Sequence, residues 1–534
     1  MGTEDSSDRL LRFLIVGSAV GICVFLFTNY SAIPVNRDAG YYLPIAREVL
    51  AGKTPTVEVD TAYTPFVYYL YAAWMGWFGT TFSVQVLLVY LVNLLNVLLL
   101  LRILRRERLP AILGILLCAS YFCTLMVCQG YAITLEPFQV FFLLAAFSAW
   151  SGHRDSLGRD AMIGLLLGVA IMIKQYSALI CLGFVLIICM DSAGKGRRAR
   201  GAIRILVLGT AAAVPLLVFI LLTPASLPEA LHAFGFIGGK AVSYATAEKT
   251  TLYERLGHVF LKVAHLHWLF LPVLFFAIPC IRRDADRKRG AVLLVLLVVS
   301  ALPIWVRQFG HYFLLVAPWS YLLWGWCLGT CRDFWRGEGS RHLLVRGLVL
   351  VGGVLPAFLA LTPESSRLTK LHQITVLAFF LLLSALVLLP GFFRHGAGKR
   401  ACAVLVFSAI LCGLETAFLS LKLPYGEMSE QKSRQEQEAR AIGEVLPKGT
   451  RVLVVDYPEL YVTCDFRNES NYYGFIYPSD FERKFRRIQW NKEKRVLMRE
   501  DADVRIRKAI KNMGFQKVAF PAELGLAFFS REIP

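Results

Sequence analysis

The chain has 534 residues, 56% of them hydrophobic, and a mean hydropathy of +0.55. Those values lie outside the range of soluble globular domains and call for many membrane spans. The formal net charge of +19 does not indicate nucleic acid, because the basic residues fall in short clusters between apolar runs, the pattern that sets topology in polytopic proteins. Most of the cysteines, such as Cys118, Cys123, Cys128, Cys181 and Cys189, lie in apolar segments. Only Cys464 lies in the polar tail, so that tail cannot close an internal disulfide, and no Cys/His spacing marks a zinc site.

Taken in chain order, Leu10 to Thr28 is long enough to span and lacks a small-residue cleavage site, so it reads as a retained anchor. Next comes Asn36-Arg37-Asp38-Ala39-Gly40-Tyr41-Tyr42, an amphipathic stretch from Tyr41 to Leu50, and a Gly/Pro/Thr loop holding Glu58 and Asp60. That loop ends in Tyr63-Thr64-Pro65-Phe66. About thirteen spans are expected, at roughly 10–29, 82–101, 110–128, 133–150, 161–173, 176–190, 203–222, 265–281, 290–305, 311–330, 343–361, 370–393 and 401–421.

The stretch Ala161 to Met190 is either one tilted helix or a hairpin broken at Lys174-Gln175. Charge decides between them. A hairpin keeps the flanking His153-Arg154…Arg159 and Lys195…Arg200 loops on one side, together with the basic loops at 102–108, 282–289, 332–341 and 394–400. Each arm then has about 20 Å of helix against a hydrocarbon core of about 30 Å. Lys174 therefore lies below the outer surface, which is tolerable only beside a polar, water-filled cavity, and that cavity is the expected active site.

From Pro424 onward the composition becomes polar. Glu430 to Val445 reads as a charged helix, Arg451 to Val455 as a buried strand, Asp501 to Met513 as an amphipathic helix and Gln516 to Phe520 as a second strand. The expected architecture is a polytopic α-helical membrane domain over residues 1–424, followed by a small α/β domain over 425–534 that the span count places outside the cytoplasm.

Five charged side chains stand out, each with a bland reading beside it. Asp38 could pair with Arg37 or cap a helix starting near Gly40. Glu136, in Thr134-Leu135-Glu136-Pro137-Phe138, could compensate a helix dipole beside an early proline. Lys174 could snorkel to the interface. Arg307 and His311, four residues apart, would share a helical face or belong to an interfacial aromatic and basic belt. Asp38, Glu58, Asp60 and Glu136 together could hold a divalent metal by oxygen ligation.

Four of these segments, in order, resemble bacterial GT-C glycosyltransferases of the protein-mannosyltransferase and aminoarabinose-transferase type. They are the Asp38 loop, Leu135-Glu136-Pro137-Phe138, Gly168…Lys174-Gln175-Tyr176 and Arg307…His311-Tyr312-Phe313. The set is more similar still to the subgroup that includes rhizobial lipopolysaccharide galacturonosyltransferases. The first loop departs from the aminoarabinose enzymes: Ala62-Tyr63-Thr64-Pro65 stands where they carry Glu-Lys-Pro, with Lys53 as a substitute lysine.

The resemblance implies a GT-C fold and transfer of a sugar from a polyprenyl-phosphate donor to a lipid, glycan or protein acceptor at the periplasmic face of a bacterial inner membrane. It implies Asp38 and Glu136 as the catalytic acids, with Lys174, Arg307 and His311 binding the donor phosphate. A polysaccharide or lipid transporter and an O-antigen-ligase-like polymerase are the alternatives. A transporter would show repeated halves with matched broken helices, and the sequence has one such hairpin.

Overall fold

The computed structural model describes residues 32–59, 61, 64–107, 109, 111–152, 156–192, 198–228, 277, 287–306, 310–330, 425–455, 457–467, 488, 493–501 and 504–531. The first helix, α1 (Arg37–Leu50), starts three residues earlier than Gly40, so that Asp38 sits in its first turn. All eight residues from Ala39 to Ala46 are buried. At about 100° per residue such a run passes more than twice round the axis. The helix is thus covered on every side rather than amphipathic on one.

Helix α2 (Phe66–Phe78) follows Pro65 and ends at Gly79, whose φ of +97° suits a residue without a Cβ. Eight longer helices follow between residues 82 and 330 among the described residues: α3 (Phe82–Leu104), α4 (Ala111–Val127), α5 (Glu136–Trp150), α6 (Leu157–Ile173), α7 (Ser177–Ser192), α8 (Arg198–Leu222), α9 (Arg287–Val306) and α10 (Phe313–Thr330). Each occupies one expected span, and the hairpin is present as α6 and α7. The expected spans at 10–29, 265–281 (but for Ala277), 343–361, 370–393 and 401–421 lie outside the described residues.

By length and composition, Phe82–Glu107, Arg198–Leu222 and Gly310–Thr330 can each cross a membrane. Helix α10 is buried without a break from Phe313 to Leu328, as befits a helix apolar all round at the centre of a bundle. Helix α8 is the opposite case. Leu206, Leu217, Leu221 and Leu222 are exposed along it, a surface that only lipid covers favourably.

Several helices extend past their apolar spans because their charged ends find partners. Ser156 accepts a hydrogen bond from Arg159 N at 3.2 Å and starts α6 four residues before the apolar stretch. Just inside, Asp160 receives Arg204 of α8 in a two-bond fork at 2.7 and 3.2 Å. Arg204 also lies 3.5 Å from Asp191 at the end of α7. Lys288 of α9 pairs with Asp191, and Arg289 pairs with Glu107 beyond α3. The basic clusters at 102–106, 159, 198–204 and 287–289 thus meet at one end of the bundle.

The tail begins with α11 (Tyr425–Val445) and forms a four-stranded mixed sheet in the order β1-β2-β4-β3. Strand β1 (Leu453–Val455) runs parallel to β2 (Arg495–Arg499), while β4 (Leu526–Ser530) is antiparallel to both β2 and β3 (Gln516–Val518). A short helix, α12 (Leu460–Thr463), follows β1, and α13 (Val504–Asn512) precedes β3. Alternation along the strands splits the sheet into two packed faces. Leu453, Val455, Val496, Met498, Ala527 and Phe529 meet Ile506 and Ile510 of α13. Val454, Leu497, Leu526 and Phe528 face the other way and join the main core with Tyr461 and Cys464.

The pairing of α6 with α8 rests on two glycines. A Cβ at Gly164 would stand 2.3 Å from Leu208 O, and one at Gly168 would stand 2.4 Å from Ala212 O. Close backbone approach through small residues is how helices pack in lipid. Gly168→Leu is expected to force α6 and α8 apart, destabilising by 1–3 kcal/mol, about the range of an overpacked core. A lower melting temperature of the solubilised protein would report it. Gly158→Ala, where an added Cβ meets nothing within 4 Å, is expected to be neutral or slightly stabilising in the same measurement.

Candidate active site

The end of the bundle opposite the basic clusters collects the other charged groups. Helix α6 stops at Ile173 because Lys174 leaves helical geometry (φ −157°, ψ 128°), and α7 restarts at Ser177. A break at membrane depth exposes carbonyls that must be satisfied by protein. Thr64 Oγ1 donates to Ile171 O at 3.2 Å. Gln139 Nε2 donates to Lys174 O at 3.0 Å and to Ser177 Oγ at 2.7 Å. The first loop and α5 are thereby both fastened to the hairpin apex.

Lys174 is 2% exposed, and its Nζ lies 2.5 Å from Glu136 Oε1. Its ammonium also lies 4.4 Å from the ring centre of Tyr312 and 5.6 Å from that of Tyr176, within cation–π reach. The sequence calls for a water-filled cavity beside this lysine. The described residues surround it with a carboxylate and two phenol rings.

Glu136 is fully buried in the first turn of α5, next to Pro137. The helix N-terminus favours its negative charge. His311, in a single 3-10 turn over Gly310–Tyr312, brings its Nε2 to 3.9 Å from the same Oε1. The second carboxylate oxygen, Oε2, is buried with no hydrogen-bond partner. One acid therefore faces an ammonium and an imidazole through one oxygen and keeps the other available.

Two asparagines on α3 hold this corner from behind. Asn96 donates to Pro137 O at 2.9 Å and Asn93 to Gly130 O at 2.7 Å. In front, Asn36 Nδ2 donates to Ile133 O at 3.3 Å. That bond joins the segment preceding Asp38 to the loop preceding Glu136.

Of the expected site residues, Glu136, Lys174 and His311 form one cluster, and Asp38 lies on the helix tethered beside it. Glu58 does not join them. It is exposed, and its Oε2 accepts from Thr54 N at 2.7 Å within its own loop. Lys53 is engaged by Glu48 at 2.5 Å rather than standing free for a phosphate. Asp60 and Arg307 lie outside the described residues. Of the possible metal set Asp38, Glu58, Asp60 and Glu136, Glu58 turns into its own loop and Glu136 faces Lys174 through one oxygen. Among the described residues no three His, Cys, Asp or Glu side chains gather as a metal site.

Sequence reasoning passed over Asn36, Thr64, Asn93, Asn96 and Gln139. The signal was present for the last three, because a polar amide inside an apolar span needs an interior partner. For Asn36 and Thr64, in a polar loop, no such signal exists.

No protein-family model matches the chain, and no curated protein matches it by sequence. Solved structures do resemble it. The aminoarabinose transferase ArnT from Cupriavidus metallidurans, bound to undecaprenyl phosphate, superposes with a TM-score of 0.58 at 16% identity, covering 99% of each chain. The same enzyme in the apo state gives 0.57, also at 16% identity and 99% of each chain. At that identity the likeness is one of fold, and it runs end to end: the chain shares the fold of these ArnT structures.

Proposed function

We infer that the chain is a membrane glycosyltransferase, which passes a sugar from a polyprenyl-phosphate donor to a hydroxyl-bearing lipid, glycan or protein acceptor. The observation that carries this reading is the fully buried Glu136–Lys174 pair at the broken hairpin, with His311 on the same carboxylate. Burying such charges is costly unless function or pairing requires it. The full-length likeness to an enzyme solved with undecaprenyl phosphate supports the same reading.

In this mechanism Lys174 and His311, with Arg307 from the adjoining segment, stabilise the donor phosphate as its bond to the anomeric carbon breaks. The acceptor oxygen forms the new bond to that carbon, and Asp38 takes its proton. A single displacement of this kind inverts the anomeric centre. Glu136 holds Lys174 in place before the phosphate arrives, and its free Oε2 accepts a hydrogen bond from the incoming substrate. The tail sits at the same end as the site. With the basic end in the cytoplasm by the positive-inside rule, both are extracytoplasmic, which suits a bacterial inner-membrane enzyme that takes a flipped donor.

Asp38→Asn keeps the shape of the side chain and removes its basicity. Donor turnover is expected to fall by about 10²–10⁴-fold with membrane yield unchanged, and activity within about threefold of wild type would take Asp38 out of the mechanism.

Lys174→Met leaves Glu136 buried without its cation, so a loss of about 3–5 kcal/mol is expected, seen as a lower melting temperature. Adding Glu136→Gln removes the stranded charge and is expected to recover yield but not donor turnover. A double variant as active as wild type would reduce the pair to scaffolding.

Orientation is tested separately. A reporter active only outside the cytosol, fused after Pro534, is expected to be active. Activity of a cytosolic reporter instead would reverse the assignment of the two ends.

A further inference from the structure

We propose that the C-terminal unit is a clamp that positions the Asp38 segment, with Gln435 and Arg47 as positioning residues. The inference rests on the glycosyltransferase reading for its catalytic consequence, but its mechanical content stands on contacts alone. Helix α1 is buried all round, so something other than the bundle must cover its outer side. The tail does so at three points along the helix.

Ahead of the helix, Gln435 of α11 grips the backbone of Val35. Its Oε1 accepts from Val35 N at 2.9 Å, and its Nε2 donates to Val35 O at 3.0 Å. This two-bond bracket, between a buried amide and a backbone unit three residues before Asp38, fixes both position and orientation. Near the start of the helix, Gly40 lies against Pro458. A Cβ there would stand 2.4 Å from the Pro458 carbonyl carbon, so the contact is backbone to backbone and cannot yield. Near its end, Arg47 donates to Tyr461 O at 3.2 Å and to Asp465 Oδ1 at 2.6 Å, reaching the α12 turn. Asp465 itself has φ +55°, a conformation that aspartate tolerates better than most side chains.

The opposite side of the same segment is fastened to the catalytic corner through Asn36 and Ile133. Asp38 therefore sits between two fixed points, one on the tail and one three residues from Glu136. Misplacing a reacting group by about 1 Å can lower a rate by about a hundredfold. A tail that only capped the acceptor site would not need a buried amide bracket on this backbone.

The test uses the full chain in detergent, with Gln435→Ala, Gln435→Met and Arg47→Gln compared with wild type. Gln435→Met keeps the volume and removes the hydrogen bonds. Hydrogen–deuterium exchange of the peptide spanning residues 33–43 is measured without any donor, and donor turnover on the same preparations. Both Gln435 variants are expected to exchange at least about threefold faster there, the effect of losing a net hydrogen bond. Their kcat is expected to fall about tenfold or more, with the KM for donor within about twofold, because the phosphate site is not touched. Arg47→Gln is expected to act in the same direction, more weakly. Unchanged exchange in Gln435→Met would overturn the clamp, since side-chain volume alone would then hold the segment. Faster exchange with unchanged kcat would overturn the positioning role. If the wild-type protein leaves polyprenyl-phosphate sugars intact while the variants still exchange faster, the clamp stands and the glycosyltransferase reading falls.

Discussion

The pair between Glu136 and Lys174 is the constraint on which the upper half of the molecule depends. Two charges in an apolar bundle require each other, and here they sit at the same end of two closely packed helices. Glu136 opens α5, and Lys174 interrupts what would otherwise be a continuous α6–α7 helix. Bringing them to 2.5 Å forces the hairpin apex against the N-terminus of α5. The carbonyls left open by the interruption then need donors. Gln139 and Thr64 provide them, and by doing so draw the first loop onto the same spot.

The far end of the bundle solves the same problem with more charges. Asp160, Asp191 and Arg204 are each nearly buried, and Lys288 and Arg289 approach from α9. This network ties four helix ends together and explains why helices run past their apolar stretches. A charged residue can remain helical near the membrane surface when a neighbouring helix supplies the counter-ion. The two ends differ in what they leave over. The basic end is held by ion pairs and leaves over a guanidinium nitrogen, Arg289 Nε, whereas the Glu136 end leaves over a carboxylate oxygen beside a lysine, a histidine and two tyrosines.

The tail is bound into this arrangement rather than appended to it. One face of its sheet joins the main hydrophobic core, and the α12 turn rests on α1. The part of the chain that holds Asp38 is thus sandwiched between two units far apart in sequence, joined across some 400 positions by Gln435 and Val35. Such long-range contacts make the first loop as much a product of the tail as of the bundle.

Hydrophobic periodicity and charge parity determined much of this in the sequence alone. The described helices between 82 and 330, the break at Lys174 and the common end of the described basic clusters follow from apolar run length and the positive-inside pattern, both of which are local. Strand β1 was legible for the same reason, as an apolar run bounded by polar turns, and β3 as part of the short stretch Gln516 to Phe520. Strands β2 and β4 were not. Arg495 and Arg499 frame only three apolar residues, and Leu526 to Phe529 has no alternation, because a strand buried on both faces loses it.

At the site, residue type alone singled out Asp38, Glu136, Lys174 and His311, since ionisable groups near apolar spans demand a reason. That Lys174 answers to Glu136, that Glu58 hydrogen-bonds within its own loop, and that α1 is covered on all sides were decided by tertiary structure. Each depends on which segments meet across distances that no sequence window spans. An ion pair or a buried helix face is a property of two elements, and a single chain segment carries only half of it.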